Sequence, residues 1–148
     1  MDTMIKKSHN VSNLFYHLVC PVKYRNAVFN EIKGVDKEIV KVCAEIEKRY
    51  SIHFIEIGID RDHVHFLIQS VPQISPSRIA QIVKSITARE LFRRRPEIQL
   101  MLWGGEFWTK GYYVDTIGHA GGKEMIQQYI QNQNANYEQI HFNQPKLL

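Results

Sequence analysis

Cysteine is scarce in this chain of 148 residues, which holds only two and no Cys-x-x-Cys pair. This argues against a cysteine metal site, and we expect Cys20 and Cys43 to pack in the core. No run of about eighteen apolar residues occurs, so no membrane-spanning helix is expected. The first ten residues also lack the apolar stretch of a secretory signal. These absences favour a cytoplasmic protein with no membrane partner.

What the chain does contain is the composition of an ordinary globular domain. Hydrophobic residues make up 44% and charged residues 23%, which argues against disorder. The length favours one domain over residues 1–148. A net charge of +4 favours a polyanionic partner. Basic residues cluster where Lys84 precedes Arg89 and Arg93, and this run has two interpretations, a solvated helix end or a phosphate-binding surface.

Hydrophobic periodicity predicts strand, helix, strand, strand, helix, strand, and then a polar helix. The predicted elements are a strand from 15 to about 21, a helix over 36–49 capped by Asp36, paired strands over 52–59 and 63–69, a helix from Ser75 or Ser77 to the arginines before Pro96, and a strand over 107–117. This order is the β-α-β-β-α-β pattern of a ferredoxin-like fold, an antiparallel sheet with helices on one face.

The last predicted helix, residues 123–136, is filled mainly with glutamine and asparagine and has a thin apolar stripe. Such a helix gains little by packing on its own domain. Gly121 and Gly122 precede it, and glycines at a joint lower the barrier to movement. Two interpretations remain: a helix packed in place, or a mobile helix that docks elsewhere.

His63 and His65 are the first candidates for chemistry. The strand period of two puts both imidazoles on one face, while Val64 points to the other. Neutral imidazole is a common metal ligand, and two on a stiff strand form half of a coordination sphere. An H-x-H pair alone is equally consistent with two half-exposed surface histidines.

Tyr129 and Gln133 form the second constellation. They lie four residues apart and therefore share one face of the C-terminal helix. The amide oxygen of Gln133 is a candidate ligand for the same metal, and the Tyr129 phenol is a candidate nucleophile toward phosphorus. Most such pairs in proteins are structural, so this signal is weak in isolation.

The combination resembles the single-tyrosine, IS200-like transposases of the HUH superfamily, and the resemblance covers nearly the whole chain. Besides His63-Val64-His65 and Tyr129 with Gln133, it includes Tyr16-His17-Leu18-Val19, Lys84-Ser85 with the arginines that follow, and Leu102-Trp103-Gly104-Gly105-Glu106-Phe107-Trp108. It implies a ferredoxin-like core with a mobile catalytic helix. It also implies that His63, His65 and Gln133 bind Mg²⁺ or Mn²⁺ and that Tyr129 forms a 5′-phosphotyrosine link.

The resemblance further implies a homodimer that joins its sheets edge to edge and recognises single-stranded DNA through imperfect hairpins near the ends of a mobile element. The tyrosine helix of one subunit would complete the metal site of the other.

DNA contacts are predicted from residue type. Lys84, Arg89 and Arg93 are candidates for a phosphate track, and Trp103 and Trp108 for stacking on unpaired bases. Aromatic residues in strands also pack in cores, so that interpretation stays open. Asp60 and Asp62, which flank the hairpin turn, are either turn formers or groups that orient a histidine.

Three other functions are alternatives to transposition. A domesticated nuclease acting on palindromic repeats uses the same chemistry. A non-catalytic module that binds single-stranded nucleic acid fits the fold, although no K/R-G-F-x-F-like strand motif is present. A zinc hydrolase is disfavoured because neither an obvious third histidine nor an H-E-x-x-H pattern accompanies His63 and His65.

Overall fold

A computed structural model describes residues 4–117 and 138–139 of the chain. Its strands are β1 (Ile5–Lys7), β2 (Asn10–Ser12), β3 (Leu14–Pro21), β4 (Ile52–Ile59), β5 (His63–Ser70), β6 (Tyr113–Ile117) and β7 (Glu138–Gln139). Its α-helices are α1 (Val28–Glu31), α2 (Val35–Arg49), α3 (Pro76–Arg94) and α4 (Glu97–Met101), and a 3-10 turn spans Lys23–Arg25.

The main sheet has the strand order β6-β3-β5-β4-β7, and every neighbouring pair is antiparallel. β1 and β2 form a separate hairpin. β3, the first strand of the β-α-β-β-α-β pattern, thus lies between β5, the third, and β6, the fourth. β4, the second strand, lies on the other side of β5. This is the ferredoxin-like topology, so the predicted fold class is confirmed.

The two faces of the sheet have different partners. Leu18, Phe66 and their alternate neighbours pack with the buried faces of α2 and α3 in one hydrophobic cluster. Phe15, Ile55 and Leu67 form a smaller buried cluster on the opposite face. Because side chains alternate along a strand, His63 and His65 lie on the face away from the helices. Both cysteines are buried, as predicted.

The helix boundaries follow local capping chemistry. The Ser75 hydroxyl accepts a hydrogen bond from the Arg78 amide at 3.1 Å, so the predicted cap of α3 is confirmed. The prediction that Asp36 caps α2 is wrong, because the cap position is Gly34 at φ 93° and Asp36 lies in the first turn. A negative charge in the first turn still stabilises the helix, because it interacts favourably with the helix dipole.

The predicted strand over 107–117 is too long, because only Tyr113–Ile117 joins the sheet. Trp108 is buried and makes a single isolated bridge with Val22. The Lys84 ammonium donates to the carbonyl oxygens of residues 109, 110 and 111 at 2.8, 2.9 and 3.3 Å. These three carbonyl groups therefore point toward α3 instead of toward a neighbouring strand.

Several short elements had no sequence signal strong enough to predict them, namely β1, β2, α1 and α4. None of the helices in the described part of the chain is both long and apolar enough to cross a bilayer. The predicted helix over 123–136 lies outside the described residues.

Candidate functional site

The imidazoles of His63 and His65 converge at the start of β5. Their Nε2 atoms lie 3.1 Å apart, with ring centroids at 4.9 Å. Two nitrogen ligands about 2.1 Å from one ion, at 90–110° to each other, are separated by about 3.0–3.4 Å. The pair therefore has the spacing of two ligands of one metal ion.

The other ring nitrogen of His63 is held by a carboxylate. Asp62 Oδ1 lies 2.7 Å from His63 Nδ1. The Arg25 guanidinium in turn donates to Asp62 Oδ1 at 3.3 Å, and its Nε lies 3.3 Å from Oδ2. An ionised carboxylate only accepts hydrogen bonds, so the proton of a neutral His63 resides on Nδ1 and its lone pair on Nε2. Metal-ligating histidines are commonly oriented in this way.

The pKa of Asp62 supports this reading. Burial raises it, but hydrogen bonds from His63 and Arg25 outweigh burial and leave the pKa below its ordinary value. Asp62 therefore stays ionised at neutral pH and orients the ring. Asp60 forms the turn, its amide donating to the His63 carbonyl at 2.9 Å, and its Oδ2 lies 3.8 Å from His63 Nε2. The two interpretations of these aspartates thus both apply.

The other ring nitrogen of His65 contacts a third histidine, His17. Its Nε2 lies 2.8 Å from His65 Nδ1, and the two rings meet edge to edge in nearly one plane, with centroids 5.1 Å apart and planes at 15°. In the sequence, His17 stands out only as part of a strand motif, and no role was predicted for it. In the β3–β5 register, Val19 pairs with His65 and Leu67 with His17, so His17 is a diagonal neighbour. That register cannot be seen in either strand alone.

Both buried imidazoles are neutral at neutral pH. Burial lowers the pKa of His17 to about 4, and the nearby charge of Asp115 opposes the shift. Burial also lowers the pKa of His65 to about 4, reinforced by His17 and His63. A neutral imidazole is the form that binds a metal, so His65 is in the state that a ligand requires.

The backbone next to this pair is strained. Tyr24 and Arg25 have φ values of 58° and 53°, in the left-handed region that costs L-residues about 1 kcal/mol each. Arg25 lies on this turn and reaches Asp62, while the exposed Tyr24 ring has the Lys23 ammonium 5.4 Å from its centroid. The strained turn therefore positions the cation that holds the histidine-orienting carboxylate.

Within residues 4–117 and 138–139, the predicted site is present only in part. No group of three or more histidine, cysteine, aspartate and glutamate side chains there is arranged to hold a metal ion. The described part therefore contains two of the three candidate metal ligands, His63 and His65. Tyr129 and Gln133 lie outside the described residues, so their predicted roles stay predictions.

A cavity of about 600 Å³ opens between α3 and the segment from 105 to 112. Three of the five predicted DNA contacts line it, namely Lys84, Arg89 and Trp108. Phe92, Lys110 and Tyr112 add aromatic surface and positive charge. Phe92 and Lys110 were not predicted, because a run of basic and aromatic residues does not reveal which of them share a pocket.

The five predicted DNA contacts differ in their environments. Arg89 and Arg93 have mostly exposed side chains, and Arg93 pairs with Glu90 at 2.7 Å. Trp103 is 77% exposed. Lys84 is bonded to carbonyls, as described above, and lies 5.4 Å from the Tyr112 ring centroid.

Trp108 is only 4% exposed, and its indole donates to the Thr87 hydroxyl at 2.9 Å. Stacking on a base would require its ring to leave this packing.

Comparison with known proteins adds an independent line of evidence. Residues 10–133 match the family described as "Transposase IS200 like". The chain is 31% identical to the ISDra2 transposase TnpA of Deinococcus radiodurans, over 84% of this chain and 86% of that protein. It is 30% identical to the transposase for insertion sequence element IS200 of Salmonella typhimurium, over 85% and 80% respectively. A crystal structure of a transposase from Deinococcus radiodurans superposes with a TM-score of 0.70 at 29% identity, covering 88% of this chain and 98% of that one.

Proposed function

Because the chain belongs to the IS200-like transposase family, we propose that it cleaves and rejoins single-stranded DNA at hairpin-marked element ends through a 5′-phosphotyrosine on Tyr129. The observation that carries the proposal is the imidazole pair. Two Nε2 atoms lie 3.1 Å apart, and the opposite nitrogen of each ring is held by a neighbour. Such a pre-arranged pair binds an ion with little loss of side-chain entropy.

His63, His65 and Gln133 are the proposed ligands of Mg²⁺ or Mn²⁺. When bound, the ion withdraws charge from a non-bridging phosphate oxygen and fixes the phosphate for in-line attack. Asp62 and Arg25 keep His63 in the orientation for this role.

Tyr129 performs the proposed covalent step. Its phenol oxygen bonds to phosphorus while its proton passes to water, the bond from phosphorus to the 3′ oxygen breaks, and that oxygen takes up a proton. The phosphotyrosine conserves the energy of the broken bond, so a free 3′ hydroxyl displaces Tyr129 in the reverse step. No nucleotide cofactor is needed.

The course of the chain after Tyr129 supports a position near the histidines. β7 follows it, and the Gln139 backbone pairs with Gly58, which pairs with His65 on its other side. β7 therefore lies two strands away from β5, the strand that carries the imidazole pair.

The proposed DNA surface is the cavity beside α3 with its exposed surroundings. Arg89 and Lys110 supply charge for phosphates, and Phe92 and Tyr112 supply rings for unpaired bases. Arg93 and Trp103 are proposed to extend this surface. The proposed partner is single-stranded DNA that carries a hairpin.

A homodimer with active sites completed in trans is also proposed. Among the described residues, β6 is the edge strand of the main sheet and has β3 as its neighbour. An exposed edge is a ready template for pairing with a second copy.

The decisive experiment mixes the protein with single-stranded hairpin DNA and Mg²⁺ and detects a covalent adduct by denaturing electrophoresis. Tyr129→Phe should bind the DNA and form no adduct. The matched control is Tyr137→Phe, which removes a phenol from the same region and should retain the adduct. An adduct that survives Tyr129→Phe contradicts the assignment, and binding without an adduct in the unmodified protein favours the non-catalytic module.

A further inference from the structure

We infer that His17 is a positioning residue for the metal centre: its Nε2 accepts a hydrogen bond from His65 Nδ1 and thereby places the lone pair of His65 on the Nε2 that faces His63. This inference deepens the proposed function and rests on its metal site, but it can be tested without DNA. His17 is not itself a proposed ligand, because its Nε2 contacts His65 Nδ1, the ring nitrogen opposite the proposed metal-binding Nε2.

A single proton is shared at the contact between the two rings. A neutral imidazole has one N–H donor and one acceptor nitrogen. The 2.8 Å contact between His17 Nε2 and His65 Nδ1 therefore needs a donor on one side and an acceptor on the other. Only two arrangements exist, and they place the lone pair of His65 on different atoms.

The arrangement decides whether His65 can bind an ion. If His17 donates, His65 Nδ1 accepts and its proton lies on Nε2, pointing at His63 Nε2 at 3.1 Å. That proton occupies the direction in which an ion would bind. If His17 accepts, the lone pairs of both Nε2 atoms face the same point, because Asp62 has already fixed the tautomer of His63. Metal binding therefore requires His17 to be the acceptor.

The surroundings of His17 suit this role. Its side chain is 1% exposed and that of His65 is 6% exposed, so water competes little for the shared hydrogen bond. β3 and β5 are adjacent central strands of the sheet, which fixes both rings. The two rings also pack edge to edge in nearly one plane, so a role in packing alone predicts a different response to substitution.

Two substitutions of His17 separate the hydrogen bond from the packing of the ring. His17→Phe keeps a ring and removes the acceptor, whereas His17→Gln loses the ring and keeps an acceptor oxygen. Loss of a group that orients a metal ligand typically weakens metal affinity about 10–100-fold. We expect this increase in the Mn²⁺ Kd for His17→Phe, and a Kd close to that of the unmodified protein for His17→Gln.

The titration uses full-length protein and Mn²⁺ alone, without DNA. The matched control is His53→Gln, which replaces another histidine of the sheet, one that pairs with Glu47 and lies far from the β5 start. It should leave the Kd unchanged. If instead His17→Phe binds Mn²⁺ with a normal Kd and His17→Gln binds it weakly, the inference is overturned and His17 acts through packing.

A second readout remains decisive if a variant fails to fold. In ¹⁵N-histidine-labelled, unmodified protein with Mg²⁺, nitrogen chemical shifts should show His65 protonated at Nδ1 and His17 unprotonated at Nε2. A proton on His17 Nε2 in the Mg²⁺-loaded protein overturns the inference.

Failure of the inference is distinguishable from failure of the proposed function. DNA adducts together with a normal Kd in His17→Phe refute only the role of His17. Absent adducts with a His17-dependent Kd refute only the covalent chemistry. An unmodified protein that binds no divalent ion refutes both.

Discussion

Acidification should destabilise this fold through two buried imidazoles, and His17→Phe should remove part of the effect. His17 and His65 have pKa values of about 4 in the folded protein, against an ordinary value of 6.5. The unfolded chain therefore binds more protons between these two values. The stability that the neutral rings contribute is complete above pH 6.5 and is lost as pH falls toward 4.

The magnitude follows from the size of the shift. One pKa unit corresponds to about 1.4 kcal/mol, so at about pH 5, roughly 1.5 units below the ordinary value, one ring accounts for about 2 kcal/mol of lost stability. His17→Phe deletes one of the two rings. We expect the loss of unfolding free energy between about pH 7 and pH 5 to shrink by about 2 kcal/mol in this variant.

Urea unfolding at a series of pH values, with a chelator present to exclude ions, measures this difference. Phe15→Leu is the control, because it changes a buried apolar side chain of the same strand and face. It should lower stability equally at both pH values. Equal acid sensitivity in His17→Phe and the unmodified protein would refute the reasoning.

Four further substitutions test separate parts of the structure. Asp62→Asn should raise the Mn²⁺ Kd about 10–100-fold in a calorimetric titration, since the carboxylate that orients His63 is lost; an unchanged Kd speaks against that role. Arg89→Gln should weaken single-stranded DNA binding and reduce its salt slope by about 0.7 in fluorescence anisotropy; an unchanged slope means no phosphate contact. Trp108→Phe should cost about 1–3 kcal/mol in urea unfolding, because its donor to Thr87 and part of its volume are lost; no cost contradicts the packing described. Tyr24→Asn should stabilise the fold by up to about 1 kcal/mol in the same assay, because asparagine tolerates the left-handed conformation better; destabilisation argues against strain.

The main elements of the fold could be predicted because their signals are local. The predicted strands 52–59 and 63–69 match β4 and β5 within one residue, since alternation and the Asp60-Arg61-Asp62 turn occur within one continuous stretch. The end of the last strand could not be predicted in this way. Lys84, some 25 residues away, determines the conformation of residues 109–111, and such a contact has no local signature.

The candidate site shows the same division between local and long-range signals. His63 and His65 share a face because they are two residues apart on one strand, and their convergence is confirmed. His17 is 48 residues from His65, so only the strand register brings the two together. The DNA contacts were predicted from residue type, but Trp108 is buried and Trp103 is exposed. Residue type alone does not predict this difference in exposure.

The proposed mechanism requires that the imidazole pair holds a divalent ion. Pulsed EPR of the Mn²⁺-loaded protein measures this coordination directly. We predict nitrogen couplings from two imidazoles, one of which disappears in His63→Ala and the other in His65→Ala. Bound Mn²⁺ without any imidazole nitrogen coupling would place the ion elsewhere and contradict the account.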